Sequence, residues 1–382
     1  KQMRIFQVIK AATNSSVPGN QTWYRNLYEP LIDMGCEVFL FPANDGWEAM
    51  YRKDKQLKAK FSQRLIDTFI KEHEKAPFDV FFSYIMDGIV EPAIMDEIKK
   101  KGAITCNFSC NNMHQFHLVA EIAPYFDYNL HSEKEARGKF LDIGATPLWW
   151  PMASNPKYFK PDRSSMRDID VSFVGANYAL RGKYLHHLLE NKIDVHAFGP
   201  GWKCGASSSL KSWAKHYLYL SKLLFSFSRG KQAFWAGLLA EHDFIRKLSY
   251  TYQDNFHEAV TDTELIAMYS RSHISLGFLE VQDKHDPSNV ITRHLHLRDF
   301  EAPMCGALYC TGYLEELTEM FDPDKEVIVY ANQYELLDKV RYYLGNPDEA
   351  EKIRWAGYRR ALEEHTYHKR FRKLFLETGM VK

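Results

Sequence analysis

The sequence predicts an α/β protein made of two Rossmann-like domains in tandem, and three observations carry that expectation. Short apolar strands alternate with helical stretches through both halves, each half opens on a strand, a glycine-containing loop and a helix, and a proline-rich run stands between them. A chain of 382 residues is long for one core and comfortable for two.

The first strand is read in MRIFQVIK, and the loop TNSSVPGNQ leads to a helix beginning near Gln21. Trp23, Leu27, Leu31 and Met34 recur at helical intervals, Gly35 ends the pattern, and CEVFLF supplies the second strand. Asn14, Ser15 and Ser16 lie where strand gives way to helix, the usual ligand edge of an open α/β sheet, and they read equally well as turn formers. FDVFFSYI, AITCNFSC and FDYNLHS continue the strands, with helical stretches from Ile89 to Lys101 and from Glu133 to Leu141. His114, His117 and His131 fall in or beside loops, and Asp87 follows a strand. Each is a candidate general base, or a structural residue.

TPLWWPMASNPKYFKPDRSSMRD, with Pro147, Pro151, Pro156 and Pro161, reads as a linker, which sets the domains at 1–165 and 166–365. The second domain starts with the strand DVSFV, the loop GANYALRGK and the strand DVHAF. The loop is neither a P-loop nor a GxGxxG fingerprint. It does combine Gly175, a helix N-terminus and Arg181 with Lys183, which favours an anion such as a diphosphate. At about 203–250 a helical insertion breaks the pattern. Lys203, Lys211, Lys215, Arg229 and Lys231 there interleave with aromatic residues and no acid, which suits an anionic membrane surface or, alternatively, a helix packed on its own domain. After it come a helix in DTELIAMYSRS, a strand in HISLGF, a polar loop, and a further strand with helices to the C-terminus.

Basic and acidic residues number 49 each, so no global field draws the chain to nucleic acid, and none is expected as a partner. The six cysteines lack paired metal-site spacing and read as reduced thiols. With no signal pattern and no apolar run long enough for a bilayer, the expected location is the cytoplasm, or the inner face of its membrane if 203–250 is the membrane element rather than a packed insertion.

Residues 289–312, NVITRHLHLRDFEAPMCGALYCTG, are the most informative stretch. Read as a helix, it puts His294, Arg298 and Glu301 at i, i+4 and i+7 on one face, with Pro303 and Gly306 ending it before the strand ALYC. That face suits a polar ligand; Arg298, Asp299 and Glu301 also fit a salt-bridged helix surface.

The run LGFLEVQDKHDPSNVITRHLHLRDFEAPMCGALYCTGYLEELTEMFDPDKEVIVY, together with WYRNLYEPLIDMGCEVFLFP, resembles CgeB-like (spore-maturation-type) glycosyltransferases, relatives of the family 4 GT-B enzymes. The resemblance implies a GT-B fold: two Rossmann-like domains facing across a cleft, with a C-terminal helix, here 366–382, crossing back to the N-terminal domain. It implies a hexosyltransferase-type reaction that moves a sugar from a nucleotide-sugar, a UDP- or GDP-sugar foremost, to a glycan, lipid-linked or protein acceptor. Glu301 stands where the wider group binds the donor ribose, and Arg181 lies on the donor side. Gly175, Asn177, Arg293, His294, Arg298 and Gly306 complete the expected donor set; Glu301, Arg298 and His114 are the catalytic candidates, with Asn14, Ser15, Ser16, Asp87 and His117 on the acceptor side. One departure stands out: Arg293 occupies the place of the first glutamate of the family 4 pair.

Glycosyl transfer leaves negative charge on the departing diphosphate, which a metal or fixed cations must stabilise. No DxD-like motif follows a strand and Arg181, Arg298 and Arg293 are available, so no metal and no tightly bound cofactor is expected. Two other classes fit the same layout: a nucleotide-sugar 2-epimerase, and a non-catalytic nucleotide-sugar-binding or assembly protein.

Overall fold

The computed structural model describes residues 2–11, 21–203, 217–218, 220–222, 225, 229–282 and 291–380. Asn14, Ser15 and Ser16 lie outside the described residues, as does much of the first part of the 203–250 insertion.

The first half holds strands Arg4–Val8 (β1), Glu37–Leu40 (β2), Val80–Ser83 (β3), Ile104–Ser109 (β4), Tyr128–His131 (β5) and Pro147–Trp149 (β6), paired in parallel in the order β2-β1-β3-β4-β5-β6. In β1, Phe6 pairs in register with Phe39 of β2 and Phe81 of β3, and their rings stack at 5.1 and 5.7 Å. Such a run of buried aromatics suits a parallel strand covered on both faces. The proline-rich stretch read as a linker is in part a strand: Pro147–Trp149 closes the sheet as β6, and Trp150, Met152 and Ala153 behind it are buried core. Proline is tolerated there because it is the first residue of an edge strand and its missing N–H breaks no ladder.

The second half carries Ile169–Val174 (β7), Val195–Phe198 (β8), Phe256–His257 (β9) and Ser272–Leu276 (β10). An antiparallel hairpin of Glu280–Gln282 (β11) and Ile291–Arg293 (β12) follows, then Tyr309–Gly312 (β13) and Ile328–Tyr330 (β14). The parallel sheet runs β14-β13-β10-β7-β8-β9. The helix Arg229–Thr251, from the inserted segment, buries Leu248 in the core of this half beside Leu185 and Leu188.

The last helix, Tyr367–Glu377, begins at Thr366, whose hydroxyl accepts the Lys369 amide at 3.2 Å. Its Phe371 sits against Phe82 of β3 and Trp150, with ring centroids 5.3 and 5.2 Å away, and Arg370 donates to the carbonyls of Pro151 and Met152. The chain's end is thereby held on the first sheet, and one apolar cluster runs from Ile5 and Leu27 through Phe371 to Phe300 and Met304. Among the described residues no helix is long and apolar enough to cross a membrane.

Candidate active site

A cavity of about 520 Å³ opens between the two sheets, where strands from both halves end. Val174 and Gly175 reach it from β7, Phe198 and Gly199 from β8, and Ala259 and Val260 from beyond β9; the first half contributes Trp23, Arg25 and Asn26, and Asn111 from beyond β4. The carboxyl edge of a parallel sheet is where loops are free of ladder constraints and helix N-termini gather, so a site there follows from topology.

Two cations of the second half face this space. Arg181 opens the helix Arg181–Glu190 yet is only 2% exposed: it donates to the carbonyl of Ala176 at 2.9 Å and to the Tyr178 hydroxyl at 2.6 Å, and its guanidinium lies 3.6 Å from the Tyr178 ring centre. Burial, and then the charge of Arg298, push its pKa down to about 10. Arg298 begins the helix Arg298–Met304 and lies 4.9 Å over the Phe173 ring, with its buried Nε lacking a hydrogen-bond partner. Two guanidiniums close enough to disfavour one another are stabilised by an anion between them. Gly175 makes the approach possible, since a Cβ there would stand 2.5 Å from Arg298 Nη2 and 2.8 Å from the Phe173 ring. Asn177 lies just behind, its amide held by the Pro200 carbonyl at 2.9 Å and its side chain donating to Gly201, so it braces the loop without lining the cavity.

Glu301 projects from the same short helix into the cavity, 8% exposed. Loss of water is the main reason its pKa rises to about 8; the charges of Asp262 and Asp299 add to that, while Arg298 and Arg25 oppose it. Asp299 points the other way: it accepts the His296 amide and the Tyr309 hydroxyl, both at 2.6 Å, and so fixes the turn that aims Arg298 and Glu301. Met304 ends the helix, after Pro303, and Gly306 turns the chain at φ +71°.

His294 is not on this helix. The helix starts only at Arg298, because Ile291–Arg293 pairs with Glu280–Gln282 and the His294 amide donates to the Leu279 carbonyl. β-branched Ile291 and Thr292 suit that hairpin. His294 is buried beside His114, ring centroids 5.5 Å apart, and neither lines the cavity; burial first, then the charges of His114 and Arg181, take its pKa down to about 3. His296 takes its place in the wall. Arg293 binds the buried Glu280 carboxylate at 3.0 Å and lies in a neighbouring cavity. Gly306 belongs to a different hollow, where a Cβ would meet Pro161 and Trp355, because the helix directs its two ends to opposite sides. Asp87 is occupied as a backbone cap, accepting the amides of Glu121 and Ile122 at 3.0 and 2.9 Å. His117 is exposed on a 3-10 turn and lines no wall of the cavity.

Several lining residues carry no local signal in the sequence. Arg25 and Asp262 meet at 2.8 Å across the cavity although 237 positions separate them, and Arg25 also lies 4.5 Å from the Tyr158 ring centre. Asn111 sits in the left-handed region at φ 60°. Its place after β4 was the only hint, since asparagine tolerates that conformation and strand ends border ligand sites. Together the wall offers Arg181 and Arg298 for an anion, a carboxyl for hydroxyl groups, and the rings of Trp23, Tyr178 and Tyr269 for a planar or sugar face.

Residues 181–375 match a family profile described as glycosyl transferase-like. Among solved structures, the chain is similar to sucrose-phosphate synthase from Thermosynechococcus elongatus, with a TM-score of 0.60 at 12% identity over 99% of each chain. It is similar to HepE from Anabaena in complex with UDP, with a TM-score of 0.59 at 9% identity over 99% of this chain and 100% of that one. A putative UDP-N-acetylglucosamine 2-epimerase from Listeria monocytogenes gives a TM-score of 0.53 at 9% identity, covering 100% of this chain and 98% of the other. A search of curated proteins finds no match. At these identities the structural likeness establishes the fold, which is GT-B.

Proposed function

The chain belongs to the glycosyl transferase-like family, and on that premise we propose that it transfers a hexose from a nucleotide-sugar, with the donor bound between Arg181, Arg298 and Glu301. The convergence of these three side chains on one interdomain cavity carries the reading. The departing diphosphate would lie against the two guanidiniums, which supply fixed positive charge and so remove the need for a metal at that point. Glu301 would take hydrogen bonds from the ribose hydroxyls and set the donor's position without joining the bond-making step. The second half, from about residue 166, is then the donor side, and the wall from the first half, with Arg25 and Asn111, faces the acceptor. The CgeB-like sequence pattern favours a glycan, lipid-linked or protein acceptor. The UDP complex of HepE supports UDP as the first nucleotide to test.

The test is a thermal-shift series with UDP, GDP, CMP and TDP, with and without EDTA, because a ligand held only by the folded chain raises its apparent stability. One nucleoside diphosphate is expected to raise the midpoint equally in both conditions, and the shift should vanish in Glu301→Ala. No shift with any of them at millimolar concentration would refute the donor site. Isomerisation of the donor sugar without an acceptor would instead identify a 2-epimerase.

The basic and aromatic residues between Lys203 and Lys231 are proposed to bring the enzyme to an anionic membrane surface. Sedimentation with phosphatidylserine liposomes should deplete the protein at low salt and not with neutral liposomes; equal recovery in both supernatants would leave the segment a packed insertion.

A further inference from the structure

A second cluster of ligating side chains lies between the two halves, beside the cavity and outside its lining. His114 comes from the short helix Asn112–Gln115, Glu133 from the loop after β5, and His294 from the residue after β12. One nitrogen of each imidazole and one carboxylate oxygen lie within 4.8 Å of one another. Glu133 and His294 are 2% and 3% exposed. Glu133 Oε2 accepts the amides of Asn112 and Met113, which fixes the carboxylate's orientation. Its other oxygen, Oε1, has no hydrogen-bond partner, and neither has His294 Nδ1, 3.6 Å away. That separation is too long for a hydrogen bond, and leaving two buried polar atoms unsatisfied at such range is costly.

The geometry points to a divalent transition-metal site of the zinc class, with His114, Glu133 Oε1 and His294 Nδ1 as its three protein ligands. Two imidazoles and a carboxylate are the borderline donor set that suits such an ion, whereas magnesium or calcium calls for oxygen ligands throughout. The amides on Oε2 are the outer shell such sites require. Glu133 also lines a cavity of about 290 Å³ with Glu315, Glu316 and Arg293, which provides a route in. Because two ligands belong to the first half and one to the second, the ion ties the halves together at the edge of the cleft. The site is distinct from the Arg181 and Arg298 pair and does not rest on the donor assignment.

The full chain, freed of metal by chelator dialysis, is titrated with zinc against a chromophoric chelator. One equivalent should bind and the thermal midpoint should rise. Glu133→Gln and His294→Ala should each weaken binding by at least about ten-fold, and His368→Ala should not. Cobalt(II) supplies a reading that needs no variant: the loaded protein should show the visible d–d bands of a four- or five-coordinate nitrogen and oxygen site. Zinc affinity unchanged in both ligand variants, or only the weak spectrum of hexaaqua cobalt, would overturn the inference.

Discussion

Arg298→Ala is expected to weaken binding of the preferred nucleoside diphosphate by ten- to a hundred-fold, on the order of the 1.5–3 kcal/mol that hydrogen bonds to charged groups contribute. Transfer should fall further, by roughly 10² to 10³, because a fixed cation helps most where the leaving diphosphate gains charge. The fold should tolerate the change. Arg298 packs over Phe173 and its Nε has no hydrogen-bond partner, so truncation costs mainly one hydrogen bond to the buried Tyr269 hydroxyl, about 1 kcal/mol, and it relieves the repulsion that, after burial, holds Arg181 below its usual range. Arg298→Lys should recover only part of the loss, since an ammonium cannot grip a diphosphate with a planar fork. Gly175→Ala offers an independent check: its new Cβ would intrude on Arg298 Nη2 and the Phe173 ring, so it should weaken the nucleotide by displacing the guanidinium while every charge is kept. Calorimetric titration of the three variants decides the matter, and wild-type affinity in Arg298→Ala would remove the cation from the site.

Glu301→Gln should flatten a pH dependence that the wild-type protein shows in both stability and binding. Burial raises the carboxyl from 4.5 to about 8, so between those values the unfolded chain gives up a proton that the folded chain keeps. Its stabilising contribution is therefore fully present below about pH 4.5 and is lost as pH rises toward 8, a swing on the order of 4 kcal/mol. Glutamine cannot ionise, so the variant's thermal midpoint should gain on the wild type steadily from pH 5 to 8. Asp299, at about 6, and Glu133, at about 7, slope in the same direction, which is why the difference between the two proteins is the quantity to measure. Binding should respond with the opposite sign. Ribose hydroxyls donate most strongly to the ionised carboxylate, so wild-type nucleotide affinity should strengthen between pH 6 and 8 by more than the variant's, whose rise comes only from the terminal phosphate losing its second proton. Parallel melting curves across that range would show that Glu301 is ionised in the folded protein and would remove the basis for both effects.

The alternation of strands and helices, the repetition of one plan in two halves, and the stretch that holds Arg298 and Glu301 are all legible in the linear sequence. These features are local: strand propensity, helical spacing, and the stops at Pro303 and Gly306 act over a few residues, and a linear reading captures them. The same reading extended the helix back to His294, because helical spacing also occurs by chance across a hairpin and its end; the pairing of Ile291–Arg293 with Glu280–Gln282 decided otherwise. Which polar residues face the cavity was a tertiary decision. Asp87 was drawn into capping a turn, Arg293 into neutralising Glu280, and Gly306 into a hollow on the other side of its helix, while Arg25 and Asp262 met across the cleft. Arg293 meets Glu280 across one hairpin, 13 positions away, and Asp87 finds its amides within the first half, 34 and 35 positions on, whereas Arg25 and Asp262, 237 positions apart, meet only because the two halves pack together.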